Sequence, residues 1–335
     1  MEPLASQLPR RNRFVTTHRR LSAVLSLGLV AGCAAFAAGA STIDKQIDVV
    51  VKGTVHQTLF GIGFDGQRGV AVGAAGEVQT TEDGGKTWKA SKLPTDLAML
   101  GVHVDPARTI TVGQTGSAFV KSAGGEWEAS KTGIEKRLFS VSSNVGGLTV
   151  AAGEFGALVL SEDGGRTWHP LTLDWMQVGT DGGAEPHLYG AHVAADGAIT
   201  VVGEFGLVLR STDRGRNWSV QNKASASLFD VEIRDDGKGY AVGQDGYALK
   251  TTDGGVTWTC IDVGSKAILN GVHSSADGKV TITAMREMMI SNDDGASWSS
   301  VNNPEVTTVW YVGVASPGTD VLAVGQSGRI IRIGG

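Results

Sequence analysis

Short apolar runs alternate with polar turns along most of the chain, and the alternation recurs seven times. One unit shows the pattern. An apolar strand, Phe229-Asp230-Val231-Glu232-Ile233, is followed by a turn at Asp236-Gly237 and a second strand, Tyr240-Ala241-Val242-Gly243. Gly246, a third short strand and the run Thr251-Thr252-Asp253-Gly254-Gly255-Val256-Thr257-Trp258 complete it. Equivalent glycines stand at Gly76, Gly116, Gly156, Gly206, Gly246 and Gly328, with Arg286 in the sixth place, at intervals of 40, 40, 50, 40, 40 and 42 residues. Four short β stretches in about 40 residues match one propeller blade. The pattern therefore predicts an all-β fold over residues 41–335, a seven-bladed β-propeller of four-stranded antiparallel blades. The seventh unit reaches Gly335 with only three strands, while Ile47-Asp48-Val49-Val50-Val51 precedes the first unit. This N-terminal strand is expected to supply the missing outer strand and close the ring, leaving no open edge there.

Residues 1–40 follow a different pattern. Arg10, Arg11, Arg13, Arg19 and Arg20 precede an apolar, Ala-rich run from Leu21 to Ala38, which reads as a signal peptide. Cleavage after Ala38-Gly39-Ala40 is one route, and a lipobox at Val30-Ala31-Gly32-Cys33 with Cys33 lipidated is another; an uncleaved anchor is a third. An exported protein, periplasmic or lumenal, is expected. The 48 glycines, 8 prolines and 41% hydrophobic content agree with an ordered, turn-rich β protein. Without residues 1–40, which carry five basic residues and one acidic one, the formal charge of −5 becomes −9. That balance argues against nucleic acid as a partner. Cys260 is the only cysteine beyond residue 40, so a mature domain is expected to hold together by packing, without an intrachain disulfide.

Ser/Thr-x-Asp-x-Gly-x-Thr-Trp is complete or nearly so at Thr81–Trp88, Ser161–Trp168, Ser211–Trp218, Thr251–Trp258 and Ser291–Trp298, and broken at Ser122–Trp127. These Asp boxes read as structural. Asp83, Asp163, Asp213, Asp253 and Asp293 can accept turn hydrogen bonds, and Trp88, Trp168, Trp218, Trp258 and Trp298 can pack between sheets. With these boxes, the Val-Gly-x-x-Gly hairpins and the count of seven, residues 43–335 resemble the photosystem II stability and assembly factor propellers of cyanobacteria and chloroplasts and their relatives in non-photosynthetic bacteria. The resemblance implies a non-catalytic assembly role in the cell envelope, with photosystem II as the partner if the host is photosynthetic. The photosynthetic relatives present an arginine-rich surface, whereas only Arg137, Arg286 and Arg329 lie near the corresponding face here; the branch that serves other envelope proteins fits better.

Asp boxes also occur in sialidases, whose chemistry implies an arginine cluster, a Tyr nucleophile with a Glu partner and an acidic acid/base. The four tyrosines are Tyr189, Tyr240, Tyr247 and Tyr311. Arg68, Arg108, Arg166, Arg214 and Arg216 fall on first or third turns, the rim opposite the usual functional face. No Gly-x-Ser-x-Gly, His-Glu-x-x-His or phosphate-cradling loop is present, and no cofactor is implied.

The partner face is expected where blade connections and second hairpins meet. There Gln114, Glu154, Glu204, Gln244 and Gln326 follow the Val-Gly or its equivalent, either as a ring of acceptors or as caps for their own turns. The ten extra residues of the fourth interval fall in His169–His187, and long loops in compact domains are often functional. Trp175 and Met176 in that loop, Phe155 and Phe205 on the adjacent hairpins, and Glu154 and Glu204 beside them form the candidate partner-binding set, an apolar centre with an acidic rim. The alternative is that the aromatics hold the loop down. At the fifth position of the inner strands, His103, His192, His273 and Glu232 are candidates for a metal in the channel. The expected function is a monomeric envelope scaffold that binds a membrane protein or complex; a carbohydrate-binding propeller or degenerate sialidase-like glycosidase is the alternative.

Overall fold

The computed structural model describes residues 40–318 and 320–334; the expected signal peptide and Cys33 lie outside them. Seven sheets form a β-propeller. Blades one to six are built from residues 59–92, 99–131, 138–170, 188–222, 228–261 and 269–302, each a four-stranded antiparallel meander. The seventh has Tyr311–Ala315, Val321–Gly325 and Ile330–Ile333, and Ile47–Val51 adds to it antiparallel, Ile47 opposite Ile333 and Val51 opposite Ile330. The ring closes as the sequence predicts. Ser41–Asp44 goes further and lies parallel to Ser299–Asn302, as a fifth strand on blade six.

The hydrophobic pattern explains why the sheets stand side by side. A single sheet buries each face against a neighbour, so the second strands are mostly apolar and buried along their length, as in Thr149–Gly153 and Val280–Ala284, where every residue is buried. Seven core clusters result, one in each gap between adjacent blades. Val150, Leu158, Leu188 and Ile199 fill the gap between blades three and four, and Leu59, Ala71, Leu322 and Ile330 fill that between seven and one. Around the axis the inner strands approach so closely that a Cβ on Gly271 would lie 2.4 Å from the Val312 carbonyl oxygen, and one on Gly101 would lie 2.9 Å from that of Phe139. Glycine is required there by proximity alone.

The five Ser/Thr-x-Asp turns share one geometry. Asp253 Oδ1 accepts from Thr251 Oγ1 (2.8 Å) and the Thr257 amide (2.9 Å), and Oδ2 accepts from Thr257 Oγ1 (2.6 Å). Asp83, Asp163, Asp213 and Asp293 repeat this pattern. Hydrogen bonds from the residue four places on hold Asp83, Asp213, Asp253 and Asp293 down to about 2. Asp163, where burial opposes them, also reaches about 2. Trp88, Trp168, Trp218, Trp258 and Trp298 each join the cluster shared with the preceding blade.

Cys260 is disulfide-bonded, and no cysteine is free among the described residues. The expectation of a domain without an intrachain disulfide concerned a mature chain lacking residues 1–40.

Candidate binding site at the channel mouth

The hairpin between second and third strands fixes the geometry of one rim. In blades one to five and seven it carries two successive left-handed residues, the second of them the repeat glycine: Phe155 (φ 50°) precedes Gly156 and Phe205 (φ 59°) precedes Gly206. The glycine is obligatory, because a Cβ on Gly116 would lie 2.0 Å from the Ile134 carbonyl oxygen and one on Gly156 would meet the Trp175 ring at 2.8 Å. The residue before it points outward. Phe155 is 53% exposed and Phe205 49%.

The acidic residues of these hairpins are partly engaged. Glu154 accepts from the Arg137 amide (2.9 Å), Glu204 from the His187 amide (2.8 Å), and Gln114 from the Ala98 amide (2.9 Å). In these three blades the repeated polar residue caps the entry to its own first strand.

The inserted loop 169–187 holds a four-residue helix, Trp175–Val178. Asp174 caps its start through the Gln177 amide (3.2 Å), and Lys223 donates to the Val178 and Gly179 carbonyls at its end. Met176 stands 69% exposed on it, whereas Trp175 is only 7% exposed and belongs to the core between blades three and four. Trp175 thus pins the loop and forms the floor of a groove, while Met176 and the two hairpin phenylalanines form the surface. Trp175 packs with the residues its indole can reach from a one-turn helix, something loop composition does not reveal.

A larger feature lies axial to these residues. The second position of the seven inner strands carries Phe60, Leu100, Phe139, Tyr189, Phe229, Asn270 and Val312, all lining a channel cavity of about 750 Å³. In blades three to five they fuse with the hairpins. Phe155 stacks at 4.6 Å on His187, which meets Tyr189 at 6.0 Å and Phe139 at 6.2 Å; Phe139 and Tyr189 lie 5.4 Å apart, and Tyr189 meets Phe229 edge-on at 5.1 Å. His187 Nδ1 also accepts from the Phe155 amide (3.1 Å), fixing the ring against the hairpin. Phe139, Tyr189, Phe229 and His187 were not singled out in the sequence, although one column of the aligned repeat holds the first three.

The channel wall below has ionisable groups, but they serve the ring. Asp230 accepts from the Val272 amide (2.9 Å), and Glu232 accepts from the Ser274 amide (2.5 Å) and pairs with His273 Nδ1 (3.1 Å), joining blade five to six. Ser140 and Ser142 join blade three to four through the Ala191 and Val193 amides. Burial pushes Asp230 up to about 6. Burial opposes charge on His273 but the Glu232 carboxylate outweighs it, raising its pKa, while burial lowers that of His192. His103 faces Asp105 at 3.6 Å. The four metal candidates are not brought together: among the described residues no three His, Cys, Asp or Glu side chains form a metal-binding group. The three histidines sit on alternate blades, which separates side chains that share a strand position, and Glu232, on blade five, meets only His273 of the three.

Burial raises the pKa of each tyrosine, aided at Tyr189 by Glu204, at Tyr240 by Asp294 and at Tyr311 by Glu305, whose carboxylate accepts from the Tyr311 hydroxyl (2.7 Å). Arg329 is held by Glu305 (2.9 Å), while Arg137 and Arg286 are exposed.

No family model and no curated protein matches the chain. Solved structures do match in fold. YCF48 bound to D1 peptide aligns with a TM-score of 0.68 at 16% identity over 89% of this chain and 98% of that one. YCF48 from Cyanidioschyzon merolae gives 0.67 and 17% over 86% and 98%. Virginiamycin B lyase from Staphylococcus aureus, selenomethionine-substituted, gives 0.72 and 11% over 87% and 99%. A binding protein and an enzyme share this architecture, so the fold alone does not select a function.

Proposed function

We propose that this propeller is a non-catalytic scaffold of the cell envelope that holds a segment of a membrane protein or membrane complex against its channel mouth. One observation carries the reading: Phe155, His187, Phe139, Tyr189 and Phe229 form a continuous aromatic surface across three blades, with Phe205 and Met176 exposed beside it. Clustered aromatics in a partly desolvated concavity are the usual anchors of protein recognition. The likeness in fold to a propeller with a bound peptide, YCF48 with D1 peptide, supports the same use of the scaffold, as does the sequence resemblance to assembly-factor propellers. The protein acts as an exported monomer, in periplasm or lumen. The five Asp turns keep shape and do no chemistry.

The carbohydrate reading draws less support, because the five turn tryptophans pack into gaps between blades instead of offering an open stacking platform. The test is a photo-crosslinking residue placed at Phe205 in cells, with the membrane fraction analysed for adducts. One recurrent membrane-protein adduct, lost when Phe139 and Phe229 are both changed to Ala, is expected. Adducts unaffected by that change, or none, would overturn the proposal.

A further inference from the structure

Beside the aromatic surface, on its outward side, lies a groove of about 490 Å³. Trp175 is its floor, Leu158, Leu171 and Leu173 its sides, and Ile134 and Phe155 its lips. Phe155 belongs to both groove and mouth, making one apolar path from the loop to the axis.

Unpaired carboxylates dominate the charges along that path. Glu135, Glu154, Asp174, Asp181 and Glu204 make no ion pair among the described residues. Two of the nearby cations are committed. Lys136 bonds the Phe155 carbonyl (2.7 Å) and pairs with Glu185 (3.2 Å), and Lys223 closes the loop helix. Arg137, on the axial side of the connection, and Arg214 and Arg216, in a pocket with Leu171, Leu173 and Asp174 on the other side of the loop, are exposed and make no ion pair among the described residues.

Building on the proposed scaffold role, we infer that the occupant of this path is an extended peptide segment carrying lysine or arginine between apolar side chains. The apolar residues enter the groove and lie on the aromatic mouth, and the cations meet the unpaired carboxylates. Such pairs at a rim act mainly on encounter rate and choice of partner, and they weaken with salt. Two backbone features make the surface firm before binding: Lys136 holds the Phe155 carbonyl and His187 holds its amide.

The test uses the purified protein and short labelled peptides in three versions: alternating Leu and Lys, the same with Glu for Lys, and the same with Ser for Leu. Fluorescence anisotropy is expected to show the Leu/Lys peptide binding at least about tenfold tighter than either other version, with the advantage shrinking as salt rises. The double variant Phe155→Gly/Phe205→Gly removes both exposed rings at positions where glycine suits the left-handed backbone. It should stay folded by circular dichroism and lose the Leu/Lys peptide. The pair Glu135→Lys/Asp181→Lys should invert the preference toward the Leu/Glu peptide. Equal or better binding of the Leu/Glu peptide by the unmodified protein, binding that survives the glycine pair, or no binding of any peptide would each overturn the inference. The crosslinked membrane-protein adduct persisting in those cases would leave the scaffold reading standing.

Discussion

The two rims of the propeller are both built on pairs of left-handed residues, the first open and the second closed by a neighbour, but different partners close them. On the rim of the Asp turns, the second glycine of each box faces a neighbouring blade's core. A Cβ on Gly85 would lie 2.5 Å from Leu322 Cδ2, and one on Gly295 would lie 3.1 Å from Tyr240 Cε1. On the mouth rim, the left-handed position before the repeat glycine faces solvent, and Ala75, Thr115, Phe155, Phe205, Asp245 and Ser327 all occupy it. A positive φ therefore restricts side-chain choice only mildly where space is open, and almost completely where a sheet stands opposite. Variation has room at the first left-handed position of either rim, where the Asp turns carry Arg214 and Asp294, and none at the second.

The contrast is broken most strongly by Gly85→Val. Left-handed strain and a clash with buried Leu322 should together remove about 3 kcal/mol or more, seen as a large fall in denaturation midpoint. A loss under about 1 kcal/mol would mean that the rim tolerates side chains after all.

Next in size is Asp230→Asn, in the wall between the rims. Asp230 titrates near 6 in the fold, above its ordinary 3.8, so the folded state holds a proton that the unfolded chain releases. Its contribution is harmless below about 3.8, grows adverse as pH rises, and is fully adverse above about 6. Asn keeps an acceptor for the Val272 amide. The variant should therefore be more stable than the parent at pH 8, by up to about 3 kcal/mol, and equal to it at pH 3.5, as measured by urea unfolding at the two pH values.

Asp163→Ala should cost about 1–2 kcal/mol through the turn donors it leaves unmet. The turn aspartates as a group have lowered pKa values, so their contribution is full above about 4 and lost as pH falls through about 2. Acid unfolding of the parent should steepen in that window, and the Ala variant should respond less to it. The smallest effect belongs to the mouth rim. Phe205→Gly relieves left-handed strain and loses little packing, so stability should shift by no more than about 0.5 kcal/mol in a thermal melt.

The sequence made the ring readable because the physics of a blade repeats. Each sheet needs an apolar second strand, a glycine where the hairpin meets the next connection, and a turn that satisfies its own amides, and these recur every 40 residues or so at Gly76, Gly116 and their equivalents. The closing strand was legible for the same reason, as one apolar strand too many at one end. Sites were harder to read. Phe155, Phe205 and Met176 were recognisable because they break a pattern in turns, and they are exposed. Trp175 looks the same in sequence, yet its burial depends on how a helix of four residues tilts over Gly156. Phe139, Tyr189 and Phe229 pass as ordinary strand residues, and only the axis of the ring makes them a surface. His103, His192 and His273 show the converse, since a shared strand position does not bring side chains together when alternate blades carry them.

The strand Ile47–Val51 has a consequence for the making of the protein. Its partner, Ile330–Ile333, is the third strand of the seventh blade. A polypeptide threaded amino end first must keep an Ile-Asp-Val-Val-Val stretch waiting while every sheet between is made. Pairings so distant in sequence form slowly, and a waiting β-prone segment invites the wrong company, against which Asp48 is the single charge within it. The circle thus acquires its clasp only once the seventh blade has been made.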